Sequence, residues 1–158
     1  MAATTISSEF ILPAKPEDDA GEVKVPVFLE NFSDRDRAED GLIPEDRIRS
    51  TEIAMLLDTG ATLMLLPQDV VEALGLKTLG RTRVIYADER EEERDIAGIV
   101  IVRVAGRVAH VACVVGPPGC EPLLGQVVLE LTDLLVDCKN QRLVPNPDSP
   151  YMPQYKLK

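Results

Sequence analysis

Asp58 is the residue of this sequence whose setting speaks most directly of chemistry. It stands in the run Leu56-Leu57-Asp58-Thr59-Gly60-Ala61-Thr62, at the end of an apolar stretch and before a Thr-Gly break. Burial raises a carboxylate pKa, and so does a second carboxylate nearby. Two such Asp side chains brought together share one proton. The ionised one can take a proton from water as general base, while the protonated one donates to a carbonyl oxygen. That pair titrates as a unit, and it can hydrolyse a peptide bond with no metal, no cofactor and no covalent intermediate. The bland reading of the same tripeptide is a strand-ending Asx turn.

The elements around Asp58 decide between these readings. Glu52 to Leu57 read as a strand running into Asp58, and Leu63 to Leu66 as the next strand. Gly60 allows close backbone approaches that a Cβ would forbid. Pro67 then sits where a short helix would start and Gly75 where it would stop; Val70, Val71 and Leu74 give it an apolar face. Arg83 to Tyr86 and Ile96 to Val104 read as the arms of a hairpin whose tip, Asp88 to Asp95, is almost wholly charged. Val108 to Val115 make another strand. Leu123-Leu124-Gly125 follows, about sixty residues after Asp58, and leads into a short helix from Gln126 to Leu131. Leu134 to Val136 can pair with Leu143-Val144. Upstream, Val23, Val25, Val27 and Leu29 alternate with other residues as a strand, which Pro26 pushes towards a sheet edge. Residues 31–49, crowded with charges and holding Gly41 and Pro44, read as a long polar loop. Many short strands with few short helices predict an all-β barrel.

On these residues the chain resembles the retropepsin-like aspartic peptidases, in particular the small bacterial proteins of that clan. The resemblance covers roughly Val23 to Pro145. It implies a closed acid-protease β-barrel with one or two short helices. Asp58 takes the catalytic position. Thr59 takes the position whose hydroxyl bonds the partner subunit's loop, and Gly60 the one whose backbone lies beside substrate and dyad; Ala61 and Thr62 complete the loop. Tyr86, Ala87, Asp88 and Glu89 occupy the place of the flap, and Leu123, Leu124 and Gly125 that of the segment supporting the loop. One Asp-Thr-Gly per chain then implies a homodimer with the site on its two-fold axis. The chain departs from the pattern in three places. Ala61 stands where pepsin-like enzymes carry Ser or Thr, and losing a hydrogen bond to the charged carboxylate predicts a less acidic optimum. Glu89 stands where related bacterial chains carry Gly. Gln126 and Val127 stand where many retropepsins carry a basic residue and then Asn or Asp.

Composition narrows the alternatives. The 158 residues carry a net charge of -10, which argues against nucleic-acid partners. No apolar run is long enough to span a bilayer, and Met1 to Ser8 lack a signal-peptide pattern, so the expected location is cytoplasmic. Cys113, Cys120 and Cys138 are too few and too uneven for a disulfide framework and suit a reducing compartment. His110 and Cys113 lie three apart on a strand and point to opposite faces, so no metal site is expected. Residues 1–22 read as a flexible arm, 23–145 as the domain and 146–158 as a tail. Two functions remain: an endopeptidase acting on extended polypeptide, or a non-catalytic dimeric module that binds peptides or proteins on the same fold.

Overall fold

A computed structural model of the chain describes residues 9–12 and 22–157. The expected arm at 1–22 therefore lies outside the described residues, except for Glu9–Leu12 and Glu22. The chain is mostly strand, with few helices. Strands β1 (Glu9–Leu12), β2 (Lys24–Asn31), β3 (Ser50–Leu56), β4 (Met64–Pro67), β5 (Lys77–Tyr86), β6 (Glu91–Val104) and β7 (Arg107–Gly116) form one sheet. A separate two-stranded sheet joins β8 (Leu134–Asp137) to β9 (Arg142–Pro145). The helices are α1 (Phe32–Glu39), α2 (Gln68–Leu74) and α3 (Gln126–Thr132), with a 3-10 turn at Glu45–Arg47.

β6 is the spine. Its first half pairs antiparallel with β5, its second half with β2, and β7 runs along it on residues Ile96 to Val104. β2 continues to β3, and β7 continues in parallel to β4. Period-2 alternation turns Val25, Val27 and Leu29 inward, where they meet Met55, Leu66, Val100, Val102 and Leu124 in the main core. β4 is buried at all four positions, as a strand covered on both faces must be. No strand ladder joins β3 to β4, so the named strands form no closed barrel; two isolated bridges through Leu123 span that gap.

Pro26 does not lie on an edge strand. β2 pairs on both sides, but only from Phe28 to Asn31; at Pro26 its partner is β3 alone, so the missing N–H breaks no ladder.

Residues 31–49 are not a loop, and among the described residues the expected one or two helices are three with a 3-10 turn. What folds this corner is polar rather than apolar. The Asn31 side-chain oxygen accepts from Asp34 N at 3.0 Å and caps α1, while its amide donates to the Leu74 and Gly75 carbonyls at 2.8 and 3.3 Å, at the end of α2. The buried Asp34 carboxylate accepts three bonds from Arg49: from its backbone N, Nε and Nη2. Those Arg49 hydrogen bonds hold the Asp34 carboxyl below the usual carboxylate range, against the effect of burial. Buried Glu30 is likewise held low; burial pushes it up, but Arg35 and Arg103 outweigh that.

The tail after β9 carries no helix or strand through residue 157. It is pinned to the end of α3. The Asp133 carboxylate accepts from Asn146, Ser149 and the backbone of Gln154, and buried Arg107 donates to the carbonyls of Thr132, Asp133 and Ser149.

Candidate active site

β3 delivers Asp58 just past its last residue. Leu57 N donates to the Val23 carbonyl at 2.8 Å, which fixes the chain as it leaves the sheet. The turn then closes on itself: Asp58 Oδ1 accepts from Gly60 N at 2.8 Å, and Ala61 N donates to the Asp58 carbonyl at 3.2 Å. Asp58 is half-buried, Thr59 and Gly60 are exposed, and Ala61 is fully buried among Leu56, Leu65, Val84 and Leu123. The Asx turn and the loop reading describe the same atoms, and further main-chain bonds lie beneath the turn.

Those bonds come from residues 122–127. This segment threads between β3 and β4. Leu56 N donates to the Pro122 carbonyl and Leu124 N to the Leu56 carbonyl; Leu65 and Leu123 exchange both of their backbone bonds. The chain then turns into α3, whose opening amides have no partner inside the helix. Gln126 N takes the Ala61 carbonyl at 2.7 Å, and Val127 N takes the Thr62 carbonyl at 3.0 Å. The Asp58 turn is thus bonded to the helix start through main chain alone. Gly125 makes the approach possible: its φ is +35°, and a Cβ there would lie 2.6 Å from the Leu63 carbonyl oxygen.

The β5–β6 hairpin reaches this loop through Tyr86, which packs on the cluster that holds Ala61. β5 and β6 meet at Tyr86-Ala87-Asp88-Glu89-Arg90, a tighter tip than the charge pattern suggests, because Glu91 to Asp95 belong to β6. Their charges are met across the ladder by Arg83, 3.4 Å from Glu91, and Arg81, 3.6 Å from Glu93. Glu89 N donates to the Tyr86 carbonyl and Tyr86 N to the Arg90 carbonyl, both at 2.8 Å. This is a three-residue hairpin loop that needs a left-handed residue at its third position, and Glu89 supplies it with φ +68°. The turn that Gly would ease is made without Gly.

Tyr86 ties the tip to the body. Its ring packs on the cluster that holds Ala61, Leu63 and Leu123. Its hydroxyl donates to Glu92, and the Arg90 guanidinium lies 4.4 Å over the ring. Burial, then the bond to Glu92, pushes the Tyr86 hydroxyl pKa up. The same hydrogen bond holds Glu92 below the usual carboxylate range, with Arg94 adding to it. Glu92, Arg90 and Arg94, which the sequence shows only as part of a charged hairpin tip, thus form a network around Tyr86. The two-residue spacing of Glu92 and Arg94, on one face of β6, is the available signal.

Beside Thr59 lies a depression of about 310 Å³ lined also by Leu129, Glu130 and residues 133–136. His110 is exposed on β7, edge-on to Phe32 at 5.6 Å, while Cys113 is buried with its thiol pushed up to about 12 by burial. Among the described residues no group of three or more His, Cys, Asp or Glu could hold a metal ion, and no helix is long and apolar enough to cross a membrane.

One Asp-Thr-Gly turn, clamped from below by an apolar-apolar-Gly segment and faced by a hairpin, belongs to the retropepsin-like aspartic peptidases. Residues 46–130, more than half of the chain, match the model of the family described as "gag-polyprotein putative aspartyl protease", and the chain belongs to that family. No curated protein matches it.

Proposed function

We propose that the protein is an aspartic endopeptidase that cuts extended polypeptide as a homodimer. The observation that carries the reading is the main-chain clamp on the Asp58 turn, from Leu56 to Val127. Such a clamp orients a carboxylate and leaves Thr59 and Gly60 free to meet a second copy. In the dimer the two Asp58 side chains share one proton across the two-fold axis. One activates water, and the other protonates the carbonyl oxygen of the scissile bond. The hairpin around Tyr86, Ala87, Asp88 and Glu89 acts as the flap. Residues 23–145 form the peptidase domain, and the enzyme works in the reducing cytoplasm without cofactor or nucleic acid.

The test is direct. Wild type and Asp58→Asn are incubated with a library of denatured peptides from acid to neutral pH, with oligomeric state followed by sedimentation. Cleavage by the wild-type dimer should fall by about a thousandfold or more in the variant. With Ala61 offering no hydroxyl to the dyad, the optimum should lie above that of pepsin-like enzymes. Equal outcomes for two confirmed dimers would instead favour a peptide-binding module.

A further inference from the structure

β5 is hydrogen-bonded on both edges. β6 takes one. Along the other lies β1, in parallel, with Glu9 opposite Arg83, Phe10 opposite Val84, Ile11 opposite Ile85 and Leu12 opposite Tyr86. Among the described residues this is the only ladder β1 makes. The position of that edge matters. Val84 is fully buried, and with Tyr86 it packs on the cluster that includes Ala61, Leu63 and Leu123. The strand that carries this edge therefore shares a cluster with Ala61 of the Asp58 turn, and the edge ends at Tyr86, which opens the hairpin. A bare strand edge offers a row of N–H and C=O groups, and an extended peptide takes them up by strand addition, with main-chain bonds supplying affinity. Phe10-Ile11-Leu12 is a run of strand-favouring residues.

We infer that the edge Arg83–Tyr86 of the flap strand is a binding site for an extended polypeptide, and that the chain's own Glu9–Leu12 occupies it. The N-terminal segment then competes with any polypeptide approaching the Asp58 turn from that side. Being tethered, it does so at an effective concentration that a free peptide must exceed. The competition with substrate rests on the peptidase reading; the occupied edge does not.

Hydrogen exchange on the full chain tests this, in an Asp58→Asn background so that no probe is cut. The first measurement needs no further substitution. The amides of Phe10 to Leu12 should exchange about tenfold or more slowly than in the free peptide Ser8–Pro13, and saturating peptide should abolish the difference. Phe10→Pro and Ile11→Pro are then compared. Successive strand amides point to opposite edges, so one of the two substitutions removes a donor aimed at β5. In that variant the amides of Arg83 to Tyr86 should exchange about tenfold faster. It should also bind the peptide about tenfold tighter than the unsubstituted chain. Free-peptide exchange at Phe10 to Leu12, or unchanged exchange and affinity in both Pro variants, overturns the inference. Protection with no Asp58-dependent cleavage would instead remove the peptidase reading and leave the strand site standing.

Discussion

The Asp58 turn and the tip of the β5–β6 hairpin share a cluster through Ala61 and Tyr86, yet they are built from different materials. The turn is held to the body by backbone groups: Leu56, Ala61, Thr62 and Leu65 bond to residues 122–127 through main chain. The tip is held by side chains, with Tyr86 on Glu92, Arg90 over Tyr86 and Arg94 on Glu92. A main-chain clamp is indifferent to most substitutions but intolerant of a misplaced Cβ. A side-chain network is the reverse: it accepts new shapes but shifts with charge and pH. This explains why Gln126 and Val127 can depart from the usual retropepsin residues without loosening the turn, since only their amides are used.

The largest expected effect breaks the clamp. Gly125→Ala puts a methyl against the Leu63 carbonyl. It should destabilise the chain by about 3 kcal/mol, lowering the thermal midpoint by roughly 6–12 °C. A midpoint within a degree of wild type would show that the close approach is not needed.

The next effect separates the two regions. Tyr86→Phe deletes the hydroxyl bonded to Glu92 and should cost about 1 kcal/mol, read as faster amide exchange in the hairpin but not at Leu123 or Leu124. The pH dependence follows by linkage. Glu92 is depressed in the folded chain, so its contribution is present above the ordinary carboxylate pKa and lost as pH falls through the lowered value. Tyr86 is raised, so its contribution is present below the ordinary tyrosine pKa and lost as pH rises through the raised one. Hairpin protection should therefore peak between those limits in wild type and flatten in Tyr86→Phe. An identical profile in both proteins would exclude the pair as its cause.

The smallest effect is a gain. Glu89 adopts φ +68°, a conformation that costs a side-chain-bearing residue about 1 kcal/mol. Glu89→Gly should return about that much, raising the midpoint by roughly 2–4 °C. A lower midpoint would mean that Glu89 makes a compensating contact.

What the sequence made legible follows the same division. The Asp58 run, Leu123-Leu124-Gly125 and the Pro67 and Gly75 ends of α2 could all be read, because apolar strands and glycine turns carry local signals. α1 could not. Its one buried side chain is Asp34, paired with an Arg fifteen residues on, and hydrophobic periodicity is blind to a polar anchor. The boundary between hairpin tip and strand is not legible for a related reason: Glu91 to Asp95 are strand residues opposed by Arg81 and Arg83, and a cross-strand partner is invisible to a local window. The family match covers 46–130, so α1 lies outside it while its anchors Arg49, Leu74 and Gly75 lie within it.

That corner has a vulnerability of a different kind. Asparagine ages chemically, and Asn31 holds two helices with the two halves of one amide. Deamidation would leave the acceptor that caps α1 intact. It would replace the donor facing Leu74 and Gly75 with a negative charge, at the helix end whose dipole is already negative. Conversion of Asn31 to Asp would thus keep the cap on α1 and weaken the tie to α2, whose Val71 and Leu74 still anchor it in the core.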